Sequence, residues 1–205
     1  MPGFGGSTAD ARAERFEGRA DAVLELADHL GLARFAVLGH SMGGGTALVL
    51  GATRPDRVSH VAVVSSVALR PHRALGLPPQ SFGALALAMR APLLGHAMLP
   101  IARAQYRKRN FAGAETMTRD DFARQMRMIA ATDFGLLRRI AGGPLPPTLV
   151  AYAEDDRLVQ TSVSEELAGA IPAATVLPFA TGGHNLQKTR APELAAALRK
   201  LMASA

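Results

Sequence analysis

Apolar positions in this chain follow two rhythms that alternate along its length. Over residues 7–30 they recur at helical spacing, with Val23, Leu26, Ala27 and Leu30 on one face and Gly31 as the stop, which predicts a helix. Ser7 followed by Asp10 supplies a cap for its start. A short apolar run at 34–39 then predicts a strand, and the segment from Gly44 to Leu50 reads as a helix that ends before Pro55. Residues 59–65 are apolar almost throughout, the pattern of a strand covered on both faces of a parallel sheet. Two further strands are expected at 148–153 and 174–179, with a short helix at 165–170 between them. The last helix opens at Pro192, a favourable first-turn position, and turns Leu194, Leu198, Leu201 and Met202 inward. Strands alternating with helices predict an α/β architecture: a parallel sheet of about four strands with right-handed crossovers, covered by helices.

The interval 68–143 breaks that alternation. Pro71, Pro78, Pro79, Pro92 and Pro100, together with several glycines, punctuate its first part. An amphipathic helix follows at 118–131, with Phe122, Met126, Ile129 and Ala130 on one side. A long stretch without a strand signal, inserted between two sheet strands, predicts a helical cap over one end of the sheet. The expected domains are a core at 1–67 and 144–205 and a cap or lid at 68–143.

Composition narrows the chemistry. At 205 residues, 48% hydrophobic and 20% charged, the chain has the make-up of an ordinary globular protein with one core. The absence of cysteine excludes disulfides, thiolate catalysis and cysteine-held metals. The net charge of +6 comes mostly from arginine, but 17 acidic residues are interspersed among 23 basic ones, so no nucleic-acid partner is expected. Arg103, Arg107, Lys108 and Arg109 around Tyr106 read as a solvated helix face rather than a phosphate site. The first six residues lack the basic and apolar regions of a signal peptide. The longest apolar stretch, 82–101, is interrupted by Arg90, Pro92 and Pro100 and falls short of a membrane span, so the cytoplasm is the expected location.

Between the strand at 34–39 and the helix that follows lies Gly39-His40-Ser41-Met42-Gly43. A G-x-S-x-G in that position forces a turn so tight that glycine alone leaves room beside the serine, whose hydroxyl is held exposed on a strained point. A serine hydroxyl needs a histidine base to act as a nucleophile, and the base needs an acid to fix its tautomer. Ala153-Glu154-Asp155-Asp156 follows the third strand, and Gly182-Gly183-His184 follows the fourth, both at the edge where open α/β sheets build their sites. Ser41, Asp156 and His184 are therefore the candidate catalytic residues, with Asp155 and then Glu154 as the alternative acids. Met42 is the candidate oxyanion donor through its backbone amide. Of the other histidines, His40 reads as structural beside the serine, His29 and His60 as surface residues, and His72 and His96 as cap residues. Gly43-Gly44-Gly45-Thr46 is similar to an anion cradle but lacks the lysine of a nucleotide-binding loop.

These residues together resemble the α/β-hydrolase family, in particular its capped serine hydrolases. The resemblance rests on Gly39-His40-Ser41-Met42-Gly43-Gly44, on Asp156 in its loop after Pro147-Thr148-Leu149-Val150, and on Gly183-His184 followed by Pro192-Glu193-Leu194. Asp156 keeps the family's offset from a glycine that is here Ala153. The resemblance implies a cofactor-independent esterase-like enzyme with a Ser-His-Asp triad, acting on a small apolar ester or acyl substrate. Phe82, Met89, Phe111, Phe122 and Phe134 are available to line its pocket.

The resemblance further implies that residues 1–7 correspond to a loop that the family places after several strands, including one ending in a His-Gly turn. The expectation is a core without those front strands, open at one edge of the strand at 34–39, and lacking the second oxyanion donor that the turn supplies. Loss of one such donor costs about 2.7–4 kcal/mol of transition-state stabilisation. Two other functions share the pattern: a non-catalytic fragment that self-associates through the open strand edge, and an acyltransferase with the same triad.

Overall fold

Four apolar runs pair in chain order as one parallel sheet: β1 (Phe35–His40), β2 (Val58–Val64), β3 (Thr148–Ala153) and β4 (Thr175–Phe179). The computed structural model describes residues 7–108 and 113–203. Between and around the strands run α1 (Phe16–His29), α2 (Met42–Thr53), α3 (Ser81–Arg90), α4 (Pro92–Lys108), α5 (Arg119–Ala130), α6 (Phe134–Ala141), α7 (Thr161–Ala170), α8 (Leu186–Thr189) and α9 (Ala191–Ala203). The chain divides into two compact units, Ala20–Ala74 with Asp133–Ala205, and Met1–Arg19 with Leu75–Thr132.

The first unit holds the whole sheet. β2 and β3 are buried along nearly their full length, as continuous apolar runs in a parallel sheet require. Val64, Ala151 and Ala153 pack with Leu186 and Leu194, and Ala62 and Leu149 with Leu201. α2 is buried from Gly44 to Gly51 and contacts β1, β2 and α6. The register aligns His40 with Val64, Val64 with Ala151, and Ala151 with Leu177, so the C-terminal ends of all four strands lie along one edge.

β1 pairs on one side with β2 and, among the described residues, has no strand on the other. Its Ala36 and Leu38 are exposed. They border an apolar groove of about 190 Å³ with His60 and with Leu198, Leu201 and Met202 of α9. Met202, expected inward, is 52% exposed. His60, expected at the surface, is instead buried on β2, and neither of its ring nitrogens has a hydrogen-bond partner. Strand alternation decides this outcome, because His60 shares a face with Val58 and Ala62.

The other unit has its own core. Ala86 and Met89 of α3 pack with Phe122 and Ala123 of α5, flanked by Met98, Leu99, Tyr106 and Met126. α5 begins at a reciprocal cap: the Asp121 amide donates to Thr118 Oγ1 at 3.2 Å, and the Thr118 amide donates to Asp121 Oδ2 at 2.8 Å. α3 and α4 meet at 113°, and no single helix among the described residues is long and apolar enough to cross a membrane.

Two helical expectations need correction. The single helix predicted for 7–30 is divided into a short 3-10 turn at Ala11–Glu14, a break at the extended Arg15, and α1. Asp10, and not Ser7, caps the turn, its Oδ1 accepting from the Arg12 amide at 2.9 Å. The Arg12 carbonyl then lies 2.1 Å from where a Cβ on residue 18 would stand, so the doubling-back depends on Gly18. Leu26 and Leu30, expected on the buried face, are exposed, and Ala27 is the residue of that set that is buried. Helix α6 was not anticipated; its start is marked by Asp133, whose Oδ1 accepts from the Leu136 amide at 2.8 Å.

The turn between β1 and α2 demands glycine at one of its two flanks. A Cβ on Gly39 would sit 2.2 Å from the Gly43 carbonyl oxygen, a backbone atom that cannot swing away, whereas a Cβ on Gly43 would meet nothing within 4 Å. Gly39→Ala is therefore expected to destabilise the fold by about 3 kcal/mol or more. Gly43→Ala, at a helical position, should be neutral or stabilising by up to about 1 kcal/mol. Denaturant midpoints of the two variants check both expectations.

Candidate active site

Ser41 occupies the single residue between the end of β1 and the start of α2. Its φ of 54° is in the left-handed region, which a non-glycine residue adopts only when its surroundings enforce it. The end of β2 supplies that enforcement. The Ser41 amide donates to the Val64 carbonyl at 3.0 Å, and the Ser41 carbonyl accepts from the Val67 amide at 3.0 Å. The amide of Met42, first residue of α2, belongs to the helix's first turn, where N–H groups have no intrahelical acceptor and carry the positive end of the helix dipole.

The three residues singled out after β1, β3 and β4 meet at the sheet edge. The Ser41 hydroxyl lies 3.0 Å from His184 Nε2, and His184 Nδ1 lies 2.9 Å from Asp156 Oδ2. Asp156 is 2% exposed. Its other oxygen, Oδ1, accepts from the amides of Leu158 at 2.7 Å and Val159 at 3.1 Å. Burial alone pushes this carboxyl up. The hydrogen bond and charge of His184 and the two amides together outweigh burial and hold the carboxyl below its ordinary value of 3.8. An ionised Asp156 accepts the proton of Nδ1, which leaves Nε2 as the acceptor for the Ser41 hydroxyl.

The structure gives the three consecutive acids separate positions. Asp156 faces the imidazole. Asp155 turns to the backbone of the next loop, its Oδ1 accepting from Gly182 at 2.9 Å and Gly183 at 2.7 Å. Glu154 is exposed, and its amide donates to the Phe179 carbonyl at the end of β4. His40 Nε2 is 2.8 Å from the His184 carbonyl, with the two rings 4.8 Å apart. Burial is the main reason that the His40 imidazole is held below its usual value, with His184 adding to the shift and the bond to the His184 carbonyl opposing it. A neutral His40 that carries its proton on Nε2 donates to that carbonyl. Residue-by-residue reading missed these roles of His40 and Asp155, because each acts on the backbone of a loop and not on a side chain.

The expected pocket residues fare differently. Met89 and Phe122 are fully buried in their own unit's core rather than lining a site. Phe82 and Phe134 are partly exposed. Phe111, Arg109 and residues 1–6, for which a loop was expected, lie outside the described residues. Arg103 donates to the Met117 carbonyl and Arg107 pairs with Glu115, which gives both arginines structural partners.

The family described as "alpha/beta hydrolase fold" matches residues 1–191. The chain is 30% identical, over 82% of its length and 66% of the relative's, to RutD from Klebsiella pneumoniae, which carries the name of a carbamate hydrolase. It is 27% identical, over 98% of its length and 54% of the relative's, to the dihydrolipoyllysine-residue acetyltransferase component of the acetoin cleaving system from Cupriavidus necator. Among solved structures, it superposes with a TM-score of 0.68 on the enol-lactonase from Burkholderia xenovorans, at 26% identity over 92% of this chain and 73% of that one. The chain thus spans about two thirds of the RutD sequence that it matches. With the parallel sheet, the helices that cover it and the match over residues 1–191, the chain belongs to the alpha/beta hydrolase fold family.

Proposed function

We propose that this protein is a serine hydrolase acting on a small ester or related acyl compound through Ser41, His184 and Asp156. The observation that carries the reading is the unbroken line of hydrogen bonds from Asp156 Oδ2 through both nitrogens of His184 to Ser41 Oγ. Ser41 Oγ attacks the acyl carbon while His184 Nε2 takes its proton. The Met42 amide, at the start of α2, donates to the oxyanion that forms. His184 then gives the proton to the leaving alcohol, and the acyl group stays on Ser41. Water repeats the attack with His184 as base, releasing the acid and restoring the serine. Asp156 keeps the imidazole in the tautomer that can accept, and its charge offsets that of the imidazolium.

Likeness to the acetyltransferase component favours one second reading: transfer of the acyl group from Ser41 to an alcohol or thiol in place of water. The chemistry up to the acyl-enzyme is the same, so the ratio of acid to new ester in the presence of added alcohol separates the two. A product mixture dominated by the new ester supports transfer.

A fluorophosphonate probe should label the wild-type protein at Ser41 and leave Ser41→Ala unlabelled. Turnover of short p-nitrophenyl esters should fall by about 10⁴-fold or more in Ser41→Ala and by about 10³–10⁴-fold in Asp156→Asn. Absence of labelling, or labelling that persists in Ser41→Ala, defeats the proposal.

Asp156 also makes stability depend on pH. A carboxyl held below 3.8 in the folded state contributes stability that is fully present above that value and is lost as pH falls through the lower folded value. Thermal melts of wild type and Asp156→Asn should therefore differ most at neutral pH and converge as the pH is taken well below 3.8.

A further inference from the structure

The loop that carries His184 has little intrinsic stiffness. Gly182 and Gly183 precede the histidine directly, and both have positive φ, 154° and 64°. Glycine explores more backbone conformations than any other residue, so the place of the imidazole depends on whatever holds these two peptide units. Asp155 holds both of them. Its Oδ1 receives two consecutive amides, Gly182 at 2.9 Å and Gly183 at 2.7 Å. Successive N–H groups that converge on one anionic oxygen form a concavity of the kind that backbone uses to bind anions, and such charge-assisted bonds are stronger than neutral ones.

The geometry needs glycine at both places. A Cβ on residue 182 would come within 2.5 Å of Leu186 Cδ2, and residue 183 is in the left-handed region. Other contacts hold the flanks: Thr189 Oγ1 donates to the Gly182 carbonyl at 2.7 Å, and Arg190 Nε donates to the Thr181 carbonyl at 2.9 Å. Those contacts fix the entrance to the loop. Asp155 binds the amides of the two residues that precede His184, and it comes from the loop after β3 that also supplies Asp156.

We propose that Asp155 is a positioning residue of this site: it clamps the Gly182–Gly183 backbone so that the His184 imidazole stands between Asp156 and Ser41. The proposal rests on the triad reading above. Adjacent acids from one loop thus govern one histidine, Asp156 by its ring and Asp155 by its backbone. Removal of the Asp155 carboxylate frees the loop without touching any group that meets substrate. A displacement of about 1 Å at a reacting group lowers turnover by as much as about 100-fold, whereas ground-state binding of the ester is unaffected.

The test uses the full chain with Asp155→Ala, Asp155→Asn and, as a control that removes the neighbouring charge, Glu154→Gln. With p-nitrophenyl acetate, Asp155→Ala should lower kcat by roughly 10- to 100-fold with KM within about twofold. Asp155→Asn, whose amide oxygen can still accept both N–H groups, should recover most of the loss, and Glu154→Gln should match wild type. A second readout is independent of turnover. Proton NMR in water should show a downfield His184 Nδ1–H resonance, assigned by its loss in His184→Gln. That signal should broaden or vanish in Asp155→Ala and persist in Asp155→Asn, with circular dichroism unchanged in both. An unaltered resonance and kcat in Asp155→Ala, or equal losses in Asp155→Ala and Asp155→Asn, would overturn the proposal. A wild-type protein that shows the resonance and its dependence on Asp155 yet neither turns over esters nor takes the fluorophosphonate label would defeat the hydrolase reading while leaving the clamp standing.

Discussion

In a parallel ladder every strand delivers its carboxyl end to the same side, and here four strands pair in chain order with level register. That constraint brings Ser41 and His184, 143 positions apart, to within a hydrogen bond of each other. No local sequence preference could achieve this, since the turn after β1 is Ser41 alone, the loop after β3 is acidic and that after β4 is glycine-rich, and none would associate with the others by itself. The ladder sets their spacing, and the burial of β2 and β3 by α2, α8 and α9 keeps the ladder from sliding. The loop after β2 serves the same end by a different route. Val67 and the last residue of β2, Val64, bind the backbone of Ser41 from both directions and keep its hydroxyl turned to the edge.

Much of this arrangement was legible in the sequence. β2 was found because an apolar run covered on both faces is unbroken, and β3 was placed at its observed bounds. The order serine, acid, histidine, each just beyond a strand, pointed to a shared edge before any geometry was known. Asp156 was separable from Asp155 only by an offset, and what distinguishes them physically is direction. Successive residues in a tight loop point to opposite sides, so one reaches an imidazole and the other a pair of amides.

What stayed hidden was mostly contact between distant backbone atoms. The break at Arg15 arises where the chain doubles back so closely that the Arg12 carbonyl fills the place of a side chain on Gly18, a feature with no periodic signature. Met89 and Phe122 were read as pocket residues because apolar character does not say which of two cores a residue joins; both seal the interior of their own unit. His60 was misjudged for the opposite reason. A lone polar residue in a strand reads as solvent-facing, yet alternation placed it inward among aliphatic neighbours. In each case tertiary packing overrode the local preference.

The left-handed backbone of Ser41 has an evolutionary consequence. Conformations of that kind cost of order 1–3 kcal/mol for any residue with a Cβ and far less for glycine. Selection for folding alone would favour glycine at this position, an exchange that also removes the hydroxyl. On the hydrolase reading, folding and reaction thus favour different residues at this one position.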